Sequence, residues 1–283
     1  MIRSVYKYNR VYLGDIKGVL FDLGGIIVDK YSLGPLHALD KTFQDIGIVL
    51  DAELLKKDMG NRKDIHIRKI LETKQCKEIW NEVKKRDFNE FDMDDLIQSY
   101  KINQNRMVLK YNKPLPHAKN TFDILRMGYK LKIGSTTGYF RETVDIIEKN
   151  LIKKENIYFD STVAGDDVEN GYRPRPYMIF KNLEKLNISP IQSILKVDDT
   201  TAGIKEGLEA GCWTVGVSKY SSLMNFHDLE DVEVMTDTNL FLREEEVKNK
   251  LLESGAHYVV SSLKEIPAVV EDINRRLSDG VLP

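Results

Sequence analysis

Short apolar runs that alternate with helix-forming stretches are the feature that most restricts the fold of this chain. The apolar runs lie at 18–21, 131–134, 157–159, 194–197, 213–217 and 258–260. Helix-forming stretches lie between them at 120–127, 141–150, 176–186 and 202–210. Strands that alternate with helices form a parallel sheet with helices on both faces. The sequence therefore predicts an α/β protein with a parallel sheet.

One long segment breaks this alternation. Residues 36–108 are almost entirely helix-forming, and such a block is too long for a single crossover between two strands of a sheet. The segment Pro-Leu-Pro at 114–116 marks the return to the sheet pattern. We predict a helical cap at 32–111, inserted into a core domain formed by 1–31 and 112–283.

The composition restricts the partners of the chain. Its 283 residues carry 42 Lys and Arg against 44 Asp and Glu, a net charge of −2. This balance predicts neither nucleic acid nor an anionic membrane as a partner. The two cysteines, Cys76 and Cys212, are typical of a reducing cytosol. Without an apolar signal-peptide core or a membrane-spanning run, we expect a cytoplasmic protein that acts on a small molecule.

The first residues have a pattern of their own. The segment 5–13 is rich in aromatic and β-branched residues, which predicts a short hairpin before the sheet. The pattern assigns no function to residues 1–17.

Polar residues follow three of the predicted strands at the point where each strand ends. Asp22 follows the first strand, the segment 135–138 (Ser-Thr-Thr-Gly) the second, and Asp198 and Asp199 the third. In an open parallel sheet, ligands bind beyond these carboxyl ends. Carboxylate oxygens suit Mg²⁺, and hydroxyls and N–H groups before a helix at Arg141 suit an anion such as a phosphoryl group. Taken singly, each aspartate is equally typical of a turn or a helix N-cap.

These segments together resemble the motifs of the haloacid dehalogenase superfamily. More specifically, the chain is similar to the phosphonoacetaldehyde hydrolase family from about residue 18 to its end. The segments that carry the resemblance are 21–25, 59–66, 132–139, 198–199, 211–217 and 254–258. The resemblance implies a Rossmann-like core with an inserted helical cap, and a homodimer formed through the caps.

The resemblance also implies roles for individual residues. Asp22 is expected to attack phosphorus and form an aspartyl-phosphate that water hydrolyses. The implied ligands of Mg²⁺ are Asp22, the backbone carbonyl of Gly24, and Asp199. The implied ligands of the phosphonate are Thr137, Gly138 and Arg173. Arg175 remains an alternative to Arg173, because it lies only two positions away.

Gly24 is informative because it lacks a side chain. Ordinary phosphatases of the superfamily carry a second aspartate at this position, two residues after the nucleophile, which protonates the leaving alkoxide. An ester hydrolase without that acid loses about 10²–10⁴ in rate. When a C–P bond breaks, the leaving group is a carbon, and the need is to stabilise a carbanion. The resemblance gives this task to Lys63, which condenses with the aldehyde to an imine that accepts the electrons.

A nucleophilic lysine needs a lowered pKa, through burial or nearby cations. Arg62, His66 and Arg68 are the neighbouring basic residues in the sequence. His66 lies three positions after Lys63, so on a helix we expect it to share the face of Lys63 and to shuttle its protons. In a cap rich in lysine, both residues are also typical of an ordinary helix surface.

Two further residues complete the catalytic set that the resemblance implies. Met59 is assigned next to the lysine, although a methionine at this spacing is also typical of core packing. Tyr139 follows the Ser-Thr-Thr-Gly segment. The expected reaction is Mg²⁺-dependent hydrolysis of phosphonoacetaldehyde to acetaldehyde and phosphate.

Three positions depart from the family pattern and leave alternatives open. Ile26 replaces a threonine, Ser32 a cysteine, and Gly203 the last carboxylate of the metal motif. We expect Asp198 to compensate for Gly203. The alternatives are a phosphatase or phosphonate hydrolase of the same fold with another substrate, and a catalytically weak homologue.

Overall fold

The computed structural model describes residues 11–170 and 173–283. Among these residues, six strands form one sheet in the order β3-β2-β1-β4-β5-β6. The strands are β1 (Gly18–Phe21), β2 (Lys132–Thr136), β3 (Ser161–Val163), β4 (Ile194–Asp198), β5 (Trp213–Val217) and β6 (Tyr258–Val260). Every neighbouring pair is parallel. The predicted α/β fold with a parallel sheet is confirmed.

Two local predictions differ from the structure. The strand predicted at 157–159 is wrong, because the third strand begins at Ser161, which pairs with Gly134 of β2. Ile157 is instead buried in the core, so the apolar run there reflects packing. Of the hairpin predicted at 5–13, residues 5–10 lie outside the described residues, and 11–13 form no strand.

Five α-helices lie in the segment 32–111, between β1 and β2 in the sequence. They are α1 (Leu33–Gln44), α2 (Ala52–Lys56), α3 (Lys63–Glu72), α4 (Lys74–Lys84) and α5 (Glu90–Tyr111). Side-chain caps fix where two of them begin: Thr73 accepts the N–H of Cys76 before α4, and Asn89 accepts the N–H groups of Phe91 and Asp92 before α5. We refer to residues 32–111 as the cap and to the other described residues as the core, following the predicted boundaries.

The remaining α-helices lie in the core. They are α6 (Ala118–Asp123), α7 (Arg141–Glu155), α8 (Tyr177–Leu186), α9 (Thr201–Ala210), α10 (Leu229–Glu233), α11 (Asp237–Glu253) and α12 (Ile266–Ser278). Val19 and Phe21 of β1 belong to one apolar cluster and Leu20 to another. This alternation shows that both faces of the sheet are covered, as is usual for parallel sheets. In the part of the chain that the structure describes, no helix is both long and apolar enough to cross a membrane.

The centre of the sheet positions the polar strand ends. β1 pairs with β2 on one side and with β4 on the other. Phe21 lies opposite Val197 in the ladder of β1 and β4, so the residues that follow, Asp22 and Asp198, are neighbours at the carboxyl edge. Since ligands of open α/β sheets bind at this edge, the fold places these carboxylates where a site is expected.

Candidate active site

The structure brings together the three aspartates at the carboxyl edge of the sheet. Asp22, Asp198 and Asp199 are all buried, and each offers a carboxylate oxygen within 4.8 Å of the other two. Thr137 follows β2 on the other side of β1 and is also buried. The strand ends that the sequence pattern selected therefore meet at one place.

A buried arginine connects the carboxylates. Nη2 of Arg173 donates to Oδ1 of Asp22 at 2.8 Å and lies 3.2 Å from Oδ2 of Asp198. Nε donates to Oε2 of Glu206 at 2.8 Å. Burial alone would lower the pKa of Arg173, but these three carboxylates outweigh it and hold the pKa well above its usual value. Arg175 is exposed, so Arg173 is the one of the two arginines that reaches Asp22.

A second buried cation, Lys196, supports this network from inside β4. Its Nζ donates to Oδ2 of Asp198 at 2.7 Å and lies 3.9 Å from Oε2 of Glu206. Burial would raise the pKa of Asp198, but Arg173 and Lys196 outweigh that effect and lower it. Sequence reasoning missed Lys196 and Glu206. A lysine within an apolar strand was an available signal, since buried lysines are almost always paired.

Asp199 and Asp22 are less completely compensated and fit a divalent cation. Oδ2 of Asp199 accepts the N–H of Ser222 at 2.8 Å, whereas Oδ1 is buried without a hydrogen-bond partner among the described residues. Burial and the charges of Asp198 and Asp22 raise the pKa of Asp199 well above its usual value. Burial also raises the pKa of Asp22 to about 6, although Arg173 opposes it. Carboxylate oxygens that repel each other and lack partners are the donor set that Mg²⁺ prefers.

Lys63 is a buried lysine whose surroundings differ from those of Lys196. It begins α3 and is 2% exposed. Its Nζ donates to Sδ of Met59 at 3.5 Å, and within the described residues it forms no ion pair. Burial lowers the pKa of Lys63 to about 8; Asp22 opposes this effect and Arg173 adds to it. An amine with this pKa is partly neutral near physiological pH and can act as a nucleophile.

The basic neighbours of Lys63 are not those expected from the sequence. Arg62 and Arg68 each form an ion pair with a nearby carboxylate, and the like charge that lowers the pKa of Lys63 is Arg173. His66 is buried in the cap. Burial, followed by the charge of Lys63, lowers the pKa of His66 well below its usual value. His66 is therefore close to Lys63 and neutral.

A small cavity between the cap and the core unites these groups. Its volume is about 20 Å³, room for about one water molecule. The predicted site residues on its wall are Asp22, Gly24, Met59, Lys63, Thr137, Gly138, Tyr139 and Asp199. His66 and Arg173 are absent from the wall. Ser32, one of the departures from the family pattern, forms part of it, and so does Thr200, which sequence reasoning missed.

The loop after β2 approaches the cap closely. A Cβ on Gly138 would lie 2.6 Å from the carbonyl oxygen of Asn61 in the cap, so a side chain here would push the two apart. Oγ1 of Thr137 accepts the N–H of Tyr139 at 3.3 Å. The N–H of Arg141, at the start of α7, donates to Asp166. The loop residues, rather than the helix start, therefore face the cavity.

Two hydroxyl groups fill the space beside Gly24. A Cβ at this position would lie 2.9 Å from Oη of Tyr139 and 3.0 Å from Oγ of Ser32. Oη of Tyr139 donates in turn to Oδ2 of Asp29 at 3.2 Å. Sequence reasoning missed Asp29, although a carboxylate directly after the apolar segment 26–28 was visible in the sequence. A carboxylate side chain at position 24 has no room in this arrangement.

The structure also shows the surroundings of two other residues that depart from the family pattern. Ile26 is buried in the apolar core. A Cβ on Gly203 would lie 2.0 Å from Cγ of Asp198. The carboxyl group of Asp198 therefore takes the place of a side chain at position 203, in line with the compensation expected from the sequence.

Comparisons with known proteins agree with this geometry. Residues 19–217 match the haloacid dehalogenase-like hydrolase family. A phosphonoacetaldehyde hydrolase of Bacillus cytotoxicus is 35% identical over 261 residues, 92% of this chain and 97% of that protein. The bifunctional phosphonoacetaldehyde hydrolase/aminoethylphosphonate transaminase of Clostridioides difficile is 36% identical over 276 residues. The match covers 97% of this chain and 43% of that longer relative.

A solved structure shows the same likeness in three dimensions. The crystal structure of a phosphonoacetaldehyde hydrolase-like protein from Oleispira antarctica superposes with a TM-score of 0.92 at 31% sequence identity. The superposition covers 99% of this chain and all of the other. The expected resemblance is confirmed: this chain belongs to the phosphonoacetaldehyde hydrolase family of haloacid dehalogenase-like hydrolases.

Proposed function

We propose that this protein hydrolyses the C–P bond of phosphonoacetaldehyde to acetaldehyde and phosphate, with Mg²⁺ as cofactor. The observation that carries the proposal is that Lys63, buried against a thioether, and Asp22 line the same cavity. An amine and a carboxylate nucleophile in one cavity suit a substrate with a carbonyl at one end and a phosphoryl group at the other. The names of the Bacillus and Clostridioides relatives support this substrate.

The core binds and attacks the phosphonate end. Thr137 and Gly138 lie on the wall of the cavity beside Asp22 and supply a hydroxyl and an N–H group to the anion. Arg173 holds Oδ1 of Asp22 at 2.8 Å, which orients the carboxylate for attack on phosphorus. Asp22, the carbonyl of Gly24 and Asp199 would hold Mg²⁺, which would supply positive charge between the nucleophile and the phosphonate oxygens.

The cap reacts with the carbonyl end. The neutral amine of Lys63 adds to the aldehyde and loses water to form a protonated imine. When Asp22 attacks phosphorus, the electrons of the C–P bond pass into the imine, which becomes an enamine. Protonation and hydrolysis then release acetaldehyde and free Lys63, and water hydrolyses the aspartyl-phosphate. Met59 stabilises the neutral amine, because a thioether accepts a hydrogen bond without attracting a positive charge as a carboxylate does.

The surroundings of Gly24 favour this reaction over ester hydrolysis. Tyr139 and Ser32 fill the space where a phosphatase of the superfamily carries its acidic side chain. A hydroxyl is a weaker acid than a carboxylic acid, and burial raises the pKa of Tyr139 further. An alkoxide leaving group would therefore lack a suitable acid, whereas the enamine leaving group needs none at the moment of cleavage.

We also propose that the protein acts in the cytoplasm as a homodimer joined through the caps. The cap exposes three large apolar side chains on α5: Phe91, Ile102 and Leu109. Exposed apolar surface of this kind is typical of protein interfaces. The described cysteines, Cys76 and Cys212, are free and buried.

Two measurements test the proposed reaction. Phosphate release is compared between phosphonoacetaldehyde and common phosphomonoesters, and borohydride is added with the aldehyde to trap the imine on Lys63. We expect the aldehyde to be preferred and Lys63→Arg to lower its turnover by at least about 10³-fold, because arginine forms no imine. Lys74→Arg, at an exposed lysine of the cap, serves as the matched control. Faster turnover of an ester, or full activity of Lys63→Arg, would contradict the proposal.

A further inference from the structure

Asp29 is a buried carboxylate for which neither the reaction above nor the family pattern provides a role. It lies where the chain leaves the core for the cap, and it is 4% exposed. Its backbone has a φ of 59°, a left-handed conformation that aspartate tolerates better than most residues. A buried carboxylate in an unusual backbone conformation needs an explanation beyond general solubility.

The hydrogen-bond partners of Asp29 hold it directly behind the wall of the cavity. Both carboxylate oxygens accept the N–H of Gly34 in the first turn of α1, at 3.2 and 3.1 Å. Oδ2 also accepts the hydroxyl of Tyr139 at 3.2 Å. Tyr139 lines the cavity together with Lys63, whereas Asp29 lies outside its wall. Asp29 therefore reaches the reacting groups through the phenol of Tyr139.

We propose that Asp29 is a positioning residue for imine formation: it fixes the hydroxyl of Tyr139, which shares the cavity wall with Lys63, and stores the proton that Lys63 must lose. The inference rests on the proposed function, because it concerns the carbonyl end of that reaction. The carboxylate is held by α1 of the cap and bonded to a tyrosine of the core. Asp29 thus connects the first turn of α1 in the cap with Tyr139 on the wall of the cavity.

The proposed proton transfers balance. The ammonium group of Lys63 gives one proton through Tyr139 to the Asp29 carboxylate, and the neutral amine adds to the carbonyl carbon. A proton moves from nitrogen to oxygen to give the neutral carbinolamine. Asp29 then returns the stored proton through Tyr139 to the hydroxyl, the C–O bond breaks, and one water leaves. The products are the protonated imine, water and the original carboxylate.

The charges around Asp29 are consistent with this exchange. Burial raises the pKa of Asp29 to about 7, although the N–H of Gly34, the hydroxyl of Tyr139 and the charge of Lys63 oppose it. The pKa of Lys63 is lowered to about 8, so the two groups hold a proton with similar affinity. Tyr100 of α5 also lies within the field of Asp29, and its own pKa is raised well above the usual value. It therefore stays protonated and does not compete for the proton.

The test separates imine formation from phosphate binding. The rate of the borohydride-trapped adduct with phosphonoacetaldehyde is measured for the wild type and Asp29→Asn, together with the affinity for inorganic phosphate in the presence of Mg²⁺. We expect adduct formation to slow by about 10- to 100-fold, and phosphate affinity to stay within about twofold. Asp45→Asn, at the far end of α1, is the control that removes a cap carboxylate away from the cavity.

A double-mutant cycle shows whether Asp29 acts through Tyr139. If it does, Tyr139→Phe with Asp29→Asn forms the adduct no more slowly than Tyr139→Phe alone, within about twofold. Losses that multiply would overturn the inference, and so would an equal loss of phosphate affinity in Asp29→Asn, because either result indicates a general structural role.

A second variant covers the case in which Asp29→Asn fails to fold. A Cβ on Gly34 would lie 2.9 Å from Oδ2 of Asp29, so Gly34→Ala displaces the carboxylate but keeps its charge. We expect this variant to form the adduct about 10-fold more slowly. Wild-type rates in folded Gly34→Ala or Asp29→Asn overturn the role of Asp29 and leave the proposed function intact. A wild-type protein that forms no adduct overturns both.

Discussion

Three buried basic residues, one on the cavity wall and two in the ion-pair network behind it, have opposite surroundings. On the core side, Arg173 and Lys196 share the carboxylates of Asp198 and Glu206 at distances of 2.7 to 3.9 Å. On the cap side, Lys63 faces a thioether and forms no ion pair among the described residues. The neighbouring carboxylates hold the pKa of Arg173 well above its usual value, whereas burial lowers the pKa of Lys63 to about 8.

The difference follows from what each half of the site must do. A phosphoryl group is an anion in every state of the reaction, so the core needs permanent positive charge and a saturated network that fixes it. A carbonyl needs a neutral amine, so the cap needs a lysine that can lose its proton. Because the two halves are built from different segments of the chain, we expect a substitution to change one chemistry and leave the other.

Asp22→Asn is expected to have the largest effect and to abolish only the step that takes place in the core, the attack on phosphorus. An amide does not attack phosphorus, so phosphate release should fall by at least about 10⁴-fold, while the borohydride-trapped adduct still forms. Asp22 raises the pKa of Lys63, so without it that pKa should fall below about 8 and trapping should begin at a lower pH. If the adduct disappears together with phosphate release, the two halves are not separable.

The next prediction compares one substitution at the two buried lysines. Lys196→Met leaves Asp198 and Glu206 with less positive charge, and breaking such a buried pair costs about 3–5 kcal/mol of unfolding free energy. Lys63→Met should instead stabilise the fold. Burial lowers the pKa of Lys63 from 10.5 to about 8, so keeping the lysine charged in the folded state costs about 3 kcal/mol of unfolding free energy. Urea unfolding at pH 7 measures both values.

The pH dependence of the stability gained by Lys63→Met identifies the cause of that gain. Lys63 is charged in both the folded and unfolded states below pH 8, so the stabilisation by Lys63→Met is fully present there. It should decrease as the pH rises from about 8 and vanish above 10.5, where the lysine is neutral in both states. A gain that is constant across this range would point to better packing of the methionine rather than to the removal of a charge.

The sequence could predict the residues whose position depends on local pattern. Asp22, Thr137 and Asp199 follow recognisable strands, and the topology of a parallel sheet then brings them to one edge. Helix spacing likewise related His66 to Lys63. It could not show that His66 lies in the interior of the cap and off the cavity wall, because the direction in which a helix packs is set by its neighbours.

Sequence reasoning could not identify hydrogen-bond partners that lie far apart in the sequence. Arg173 is joined to Glu206, 33 residues away, and Tyr139 to Asp29, 110 residues away. Each of these residues alone is typical of a turn or a helix surface. The incorrect strand at 157–159 has a related cause, because an apolar segment is selected both by a sheet and by a packed loop.

The last prediction concerns Asp198 and Gly203, where the sequence showed a missing carboxylate and the structure shows what replaces it. Asp198→Gly removes the partner shared by Arg173 and Lys196, and we expect turnover to fall by about 10- to 100-fold. Gly203→Asp alone places a Cβ 2.0 Å from Cγ of Asp198, and overpacking of this kind destabilises by about 1–3 kcal/mol. The double variant has room for the new side chain and restores a carboxylate between the two cations.

The test moves the carboxylate from position 198 to position 203. Turnover and thermal unfolding are measured for the two single variants and for the double variant. We expect the double variant to lie within about tenfold of the wild type, because the charge returns to the same space from a helix instead of a strand end. Adduct formation at Lys63 should change little in any of the three, since the exchange is confined to the core half. A double variant no better than Asp198→Gly would show that the strand-end carboxylate does more than compensate charge, and that its bonds to the N–H and hydroxyl of Thr200 are part of the site.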